Sequence, residues 1–208
     1  MIDTNNRFEM GIVRHNFDVN TFNDLYKPNY SQFVDTSVAQ TKQTYTSKDT
    51  SISVVNRVYT HMDFQPQSVI LDYGGGKYDK NIEYMQTRGC KVVIYDPYNR
   101  SEEYNQQTLA YIKQVPIRYI VCSNVLNVIK ENNIVADVLR KMQGIQKAQQ
   151  GPCDIYIAIY EGNKSGKGAI TNKGYQRNEK LAQYLSKIYQ YFDKNKVEVK
   201  DNIIICSK

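Results

Sequence analysis

The 208-residue chain has no tryptophan, five prolines, two histidines (His15 and His61) and four cysteines. Cys90, Cys122, Cys153 and Cys206 are widely spaced and form no C-x-x-C pair, so with so few histidines no metal site is expected. The cysteines fall in or beside expected strands and read as small buried thiols suited to a reducing compartment. No apolar run approaches the roughly 20 residues of a membrane span. The start, MIDTNNRFEMGIVRHNF, lacks the apolar core of a secretory signal. A cytoplasmic protein without membrane contact is the expectation, its oligomeric state open.

What is present is an ordinary 41% of hydrophobic residues, enough for one well-buried core, with 18 tyrosines. Twenty-seven Lys and Arg against 21 Asp and Glu give a formal charge of +6, which favours an acidic partner such as DNA or RNA.

The chain is organised around Val69 to Tyr98, VILDYGGGKYDKNIEYMQTRGCKVVIYDPY. A short apolar run ends in Asp72, passes into three glycines and a helix-like segment, and is followed by a second apolar run ending in Asp96. This is a βαβ unit with a glycine turn after its first strand. Glycines there let the backbone turn sharply and approach a ligand with no Cβ in the way. The acid about 20 residues on can accept hydrogen bonds from both hydroxyls of a ribose. The pattern is not the dinucleotide G-x-G-x-x-G, because Asp79 fills its third glycine position; it is D-x-G-x-G-x-Y, from Asp72 through Gly74 and Gly76 to Tyr78.

That pattern resembles the first motif of class I S-adenosylmethionine (SAM)-dependent methyltransferases, with Tyr78 in place of the last glycine. The resemblance implies SAM as cofactor. It implies a turn of Gly74, Gly75 and Gly76 behind the methionine moiety, Asp72 near the cofactor amino group, Asp96 on the ribose, and Pro97 and Tyr98 near the adenine. More narrowly, the order DYGGGKYD, YDPY, CSNVLNVIKE is similar to bacterial and phage methyltransferase-like proteins, some associated with DNA phosphorothioation, over about Thr41 to Arg140. Here Gly75 replaces a cysteine of that pattern. The motif of exocyclic-amine methyltransferases is missing after the strand ending at Ser123, where the chain reads Ser123-Asn124-Val125-Leu126, so adenine-N6 and cytosine-N4 methylation are disfavoured.

Residues 1–50 form an N-terminal extension expected to fold over the cofactor or substrate, and 51–208 the SAM-binding domain. Lys48 in the extension is placed to meet the cofactor carboxylate or a substrate phosphate. Ile52 to Met62 has helical spacing, with Asp49 or Thr50 as cap. Strands are expected at Ser68 to Tyr73, Lys91 to Tyr95, Tyr119 to Ser123 and Cys153 to Tyr160, and helices at Lys80 to Arg88, from Asn124 to Ala148, and at Arg177 to Phe192. Two final strands, Lys196 to Lys200 and Asn202 to Ser207, make a hairpin. The fold class is therefore α/β: a mostly parallel Rossmann-like sheet, helices on both faces and a C-terminal antiparallel hairpin. The short span from Asp96 to Cys122 leaves little room for a full third strand, so that part of the sheet should be abbreviated.

Strand ends bring Asp72, Asp96, Ser123 and Asn124 to one crevice. Asn124, Asn127 and Tyr175 are the candidates for orienting an acceptor, Asn127 alternatively a helix cap. The segment EGNKSGKGAITNKGYQR, Glu161 to Arg177, interleaves Lys164, Lys167, Lys173 and Arg177 with Tyr175, the cations and stacking aromatic that nucleic-acid binding uses. It lacks the P-loop spacing, so kinase or ATPase chemistry has no support. The expected function is methyl transfer to a nucleic acid or nucleotide-like acceptor. The alternatives are a non-catalytic SAM-binding partner in a larger modification or anti-defence assembly, and a small-molecule methyltransferase.

Overall fold

A computed structural model describes residues 54–172 and 174–208. The N-terminal extension with Lys48, the first residues of the helix expected from Ile52 with its proposed caps, and Lys173 lie outside them.

The described chain begins in a short helix α1 (Arg57–His61), followed by β1 (Val69–Tyr73), α2 (Lys80–Gln86), β2 (Lys91–Tyr95), α3 (Glu102–Ile112) and β3 (Tyr119–Ser123). Then come α4 (Asn132–Ala148), β4 (Asp154–Ala158), the small strands β5 (Ala169–Thr171) and β6 (Gly174–Gln176), α5 (Leu181–Ile188), β7 (Val197–Lys200) and β8 (Ile203–Cys206). Six strands form one sheet in the order β2-β1-β3-β4-β8-β7, and β5 pairs with β6 apart from it. The first four are parallel; β8 lies antiparallel between β4 and β7, as the hairpin near the sheet edge predicts. Among the described residues no strand separates β2 from the sheet edge, and α3 follows β2 directly, which is the expected abbreviation.

The sheet is buried on both faces because alternate residues of each strand feed opposite cores. Val69 and Leu71 of β1, Ile120 and Cys122 of β3, Ile155 and Ile157 of β4 and Ile204 of β8 meet the apolar stripe of α4 (Val135, Leu139, Met142) and Tyr184 and Ile188 of α5. Ile70, Tyr119, Val121, Tyr156 and Ile203 face the other way, toward Val58 and Tyr59 of α1 and Met85 of α2. There Phe64 sits edge-on to Tyr119 and Tyr156, at 5.0 and 5.5 Å between centroids, so part of the tyrosine excess is core. All four cysteines are buried and unpaired, and burial pushes their thiols up.

Three boundaries differ from expectation, each for a local reason. The cap of α1 is Asn56, whose side chain accepts from the Val58 amide at 2.9 Å. The helix expected from Asn124 starts at Asn132, because Asn124 takes φ +57 and Leu126–Val128 closes as a 3-10 turn. The helix expected from Arg177 starts at Leu181, because Arg177 is engaged by Ile129 O and Lys130 O, Asn178 donates to Lys167 O, and Asn178 has φ +57. No described helix is long and apolar enough to cross a membrane.

Candidate functional site

In this strand order the chain leaves β1 toward β2 on one side, while β3 lies on the other. The carboxyl ends of β1 and β3 therefore flank a topological switch point, where open α/β sheets leave a crevice. A pocket of about 320 Å³ opens there. Gly74, Gly75 and Gly76 after β1 line it, with Ser123 and Asn124 at the end of β3, Val54 to Arg57 before and in α1, and Asn81 of α2.

The glycine turn is shaped by what surrounds it. Gly74 has φ +82, and a Cβ there would meet Val125 Cγ2 at 2.4 Å; a Cβ on Gly75 would lie 2.7 Å from the Asp72 carboxyl carbon. Gly76, at φ +77, faces open space. The turn thus needs bare backbone beneath for packing and leaves bare backbone above, toward the pocket.

Asp72 lies under the turn, 1% exposed, and does not line the pocket. It accepts from Asn81 Nδ2 at 2.9 Å, and Asn81 Oδ1 accepts from the Asn56 amide at 2.9 Å, which ties α1, α2 and β1 together. Burial raises its carboxyl to about 6 against the lowering pull of Asn81 and Tyr59. Gly75 covers the carboxylate that the resemblance places near a cofactor amino group.

Asp96 is 4% exposed and its carboxylate is engaged by the protein. Oδ2 accepts from the Gly76 amide at 2.9 Å, Oδ1 from the Tyr98 and Asn99 amides at 3.0 and 2.9 Å, and Asn99 Nδ2 bridges both oxygens at 3.2 and 3.1 Å. It joins the turn after β1 to the turn after β2. Pro97 is half-buried and Tyr98 exposed in that second turn, outside the pocket lining.

Two of three further residues, none marked by a motif, hold the two turns. Arg100 donates from Nε to Gly76 O at 2.7 Å and from Nη2 to Asp79 Oδ1 at 2.7 Å. Asn105 accepts from the Asp96 amide at 2.8 Å and donates to Asp96 O at 3.0 Å. Arg57 is the third and stands in the pocket wall. No spacing rule marks them, because their partners come from other elements.

The remaining candidates separate into two groups. Ser123 and Asn124 are in the pocket lining, Asn124 held by its amide on Ala158 O at 2.9 Å. Asn127 is 2% exposed, with its Nδ2 on Gln176 Oε1 at 3.1 Å, so it ties the 3-10 turn to β6. Within the Glu161 to Arg177 segment, Ala169–Thr171 and Gly174–Gln176 pair as a small antiparallel hairpin. Arg177, expected among the substrate contacts, is 5% exposed and donates to Ile129 O at 2.5 Å, to Lys130 O at 2.9 Å and to Glu179 at 3.1 Å, clamping the turn before α4. Tyr175 is half-buried with its hydroxyl against Gly168, where a Cβ would approach it to 1.7 Å, so its ring is packed rather than presented. Lys164 pairs with Glu161 at 3.1 Å; Lys167 is exposed. The exposed aromatic here is Tyr160, after β4.

No family model matches the sequence. No curated protein matches it either. Among solved structures the chain is similar to magnesium protoporphyrin IX methyltransferase from Synechocystis PCC 6803 with bound SAM, at 15% identity over 68% of this chain and 69% of that one, TM-score 0.37. It is also similar to the N-terminal domain of EvdMO1 in the presence of SAH and D-fucose, at 10% identity over 67% of this chain and 74% of that one, TM-score 0.36. At this distance the matches carry no argument about substrate or mechanism, and nothing in them bears on phage or phosphorothioation proteins.

Proposed function

We propose that this chain is a SAM-dependent methyltransferase acting on a nucleic acid or nucleotide-like acceptor. The observation that carries the reading is a pocket at the switch point whose lining includes a side-chain-free turn tied by Gly76 N–H to the acid after β2. The residues fit the cofactor in two respects: Gly76 offers bare backbone to open space, and the buried Ser123 hydroxyl has no partner among the described residues. When bound, SAM supplies a methyl group already activated on a sulfonium. The chain's own part is to hold the methionine end against Gly74 to Gly76, to take the ribose hydroxyls at Asp96 as Asn99 turns away, and to place the acceptor near Asn124.

The nucleic-acid acceptor is supported by the +6 formal charge and by the exposed Lys164 and Lys167 that lead into the β5–β6 hairpin, whose Gln176 holds Tyr160 O at 3.0 Å. The N-terminal extension belongs to the same proposal as a cover, because the chain enters the described region at Val54, in the pocket wall.

The test is transfer of labelled methyl from SAM to DNA, RNA and small-molecule pools. Label is expected in a nucleic-acid fraction, falling roughly ten- to a hundredfold between about 50 and 200 mM salt if a few phosphates are neutralised. Label in small molecules alone, without salt dependence, overturns the acceptor class. SAM binding with no transfer to any pool overturns catalysis and leaves a SAM-binding partner module.

A further inference from the structure

We propose that the pocket contains a seat for an oxyanion, formed by the guanidinium of Arg57 and the hydroxyl of Ser123. Both residues line the same cavity, and each carries a buried polar atom, Arg57 Nε and Ser123 Oγ, with no hydrogen-bond partner among the described residues. Buried polar groups are normally paired, so two orphans on one lining point to a group that arrives from outside. A guanidinium has five N–H donors and no acceptor, so what it lacks is an acceptor, best a charged one.

The guanidinium is held in place before any ligand binds. Nη2 donates to Asp201 O at 2.8 Å and to Asn202 O at 2.9 Å, the β7–β8 turn, whose two residues have φ +50 and +58. Those contacts engage one nitrogen and anchor the plane. Ser123 is 9% exposed at the end of β3, and its hydroxyl can rotate without losing a bond. The other described lining residues are uncharged, so Arg57 is the charged group among them, with the Asp72 and Asp96 carboxylates held behind the glycine turn by Asn81 and by backbone amides. Such a cation in a partly desolvated cavity attracts an anion far more strongly than it would in water.

The shared ligand chemistry is a compact oxyanion. One source, which rests on the proposed function, is the amino-acid carboxylate of the methyl donor; the other is a phosphate of the acceptor. Calorimetric titration compares SAM with decarboxylated SAM and with 5′-methylthioadenosine, which lacks the amino-acid end. The donor source predicts that the wild type prefers SAM over its decarboxylated analogue by roughly tenfold or more. Arg57→Gln should remove that preference and leave 5′-methylthioadenosine binding unchanged. Because Arg57 also anchors a turn, Ser123→Ala is the second variant: its hydroxyl has no partner to lose among the described residues, and it should reduce the same preference.

The acceptor source predicts no such preference. Instead inorganic phosphate should saturably shift the Arg57 Nε–H resonance of the wild-type protein, with weaker saturation in Ser123→Ala. The proposal is overturned if SAM and its decarboxylated analogue bind alike and phosphate leaves that resonance in place, or if the preference survives Arg57→Gln. Absence of heat with both SAM and 5′-methylthioadenosine contradicts the methyl-donor reading itself, and the phosphate titration then still decides the seat.

Discussion

Asp72 shows how a residue that looks like a ligand can be a support. Its carboxyl lies in the layer between β1 and α1, beside Tyr59, where burial disfavours the charged form more than the Asn81 hydrogen bond favours it. With a folded value of about 6 against an ordinary 3.8, the unfolded chain releases this proton first as pH rises. The stability associated with it is therefore fully present below about pH 4, lost between about 4 and 6, and absent above. Asp72→Asn, which can keep the bond from Asn81, should raise the unfolding free energy measured by urea denaturation at pH 7.5 by up to about 3 kcal/mol and give no gain below about pH 4. A gain that does not change with pH would contradict this assignment. At this scale both acids were legible in the sequence as carboxylates after apolar runs, but their partners were not. Whether Asp96 is free or bridged by Asn99, and whether Asn81, Asn105 and Arg100 matter, depends on which loops lie within about 3 Å of one another.

The glycine turn is the element on which the site depends, and its three glycines are not equivalent. Gly74→Ala combines a left-handed backbone with a Cβ at 2.4 Å from Val125 and should cost about 3 kcal/mol. Gly75→Ala drives a methyl toward the buried Asp72 carboxyl at 2.7 Å and Ile94 at 3.0 Å, costing about 1–3 kcal/mol. Gly76→Ala meets nothing within 4 Å and should cost only about 1 kcal/mol of backbone strain, yet put its methyl where a ligand would lie. Chemical denaturation checks the order, and SAM titration of the stable Gly76→Ala protein checks the separation of packing from binding. Equal costs at all three positions would refute the geometry. The turn was legible because glycine spacing is a backbone signal. The β5–β6 hairpin was not: Ala169–Thr171 and Gly174–Gln176 have no apolar alternation, and what holds the segment is the buried Arg177 with Asn127, Asn178 and Gln176. The cations that read as a nucleic-acid patch are thus partly framework.

For the molecule as a whole, the order of strands was readable because each strand is a short apolar run with little choice of face, and β1, β3 and β4 are buried throughout apart from the first residue of β4. The abbreviated edge beyond β2 followed from chain length alone. Helix starts were less legible, since a left-handed asparagine such as Asn124 or Asn178 ends a pattern that hydrophobic periodicity would continue. What the topology delivers is a crevice where β1 and β3 part, and the account stands on a sulfonium nucleoside binding there. The most direct measurement is a titration of the wild-type protein with SAM followed by backbone amide resonances. Saturable shifts concentrated at Gly74, Gly75, Gly76, Ser123 and Asn124, with Tyr98 and Asn99 moving as Asp96 changes partners, are the predicted result. Saturation without movement of the glycine turn, or shifts confined to the β5–β6 hairpin, would contradict it.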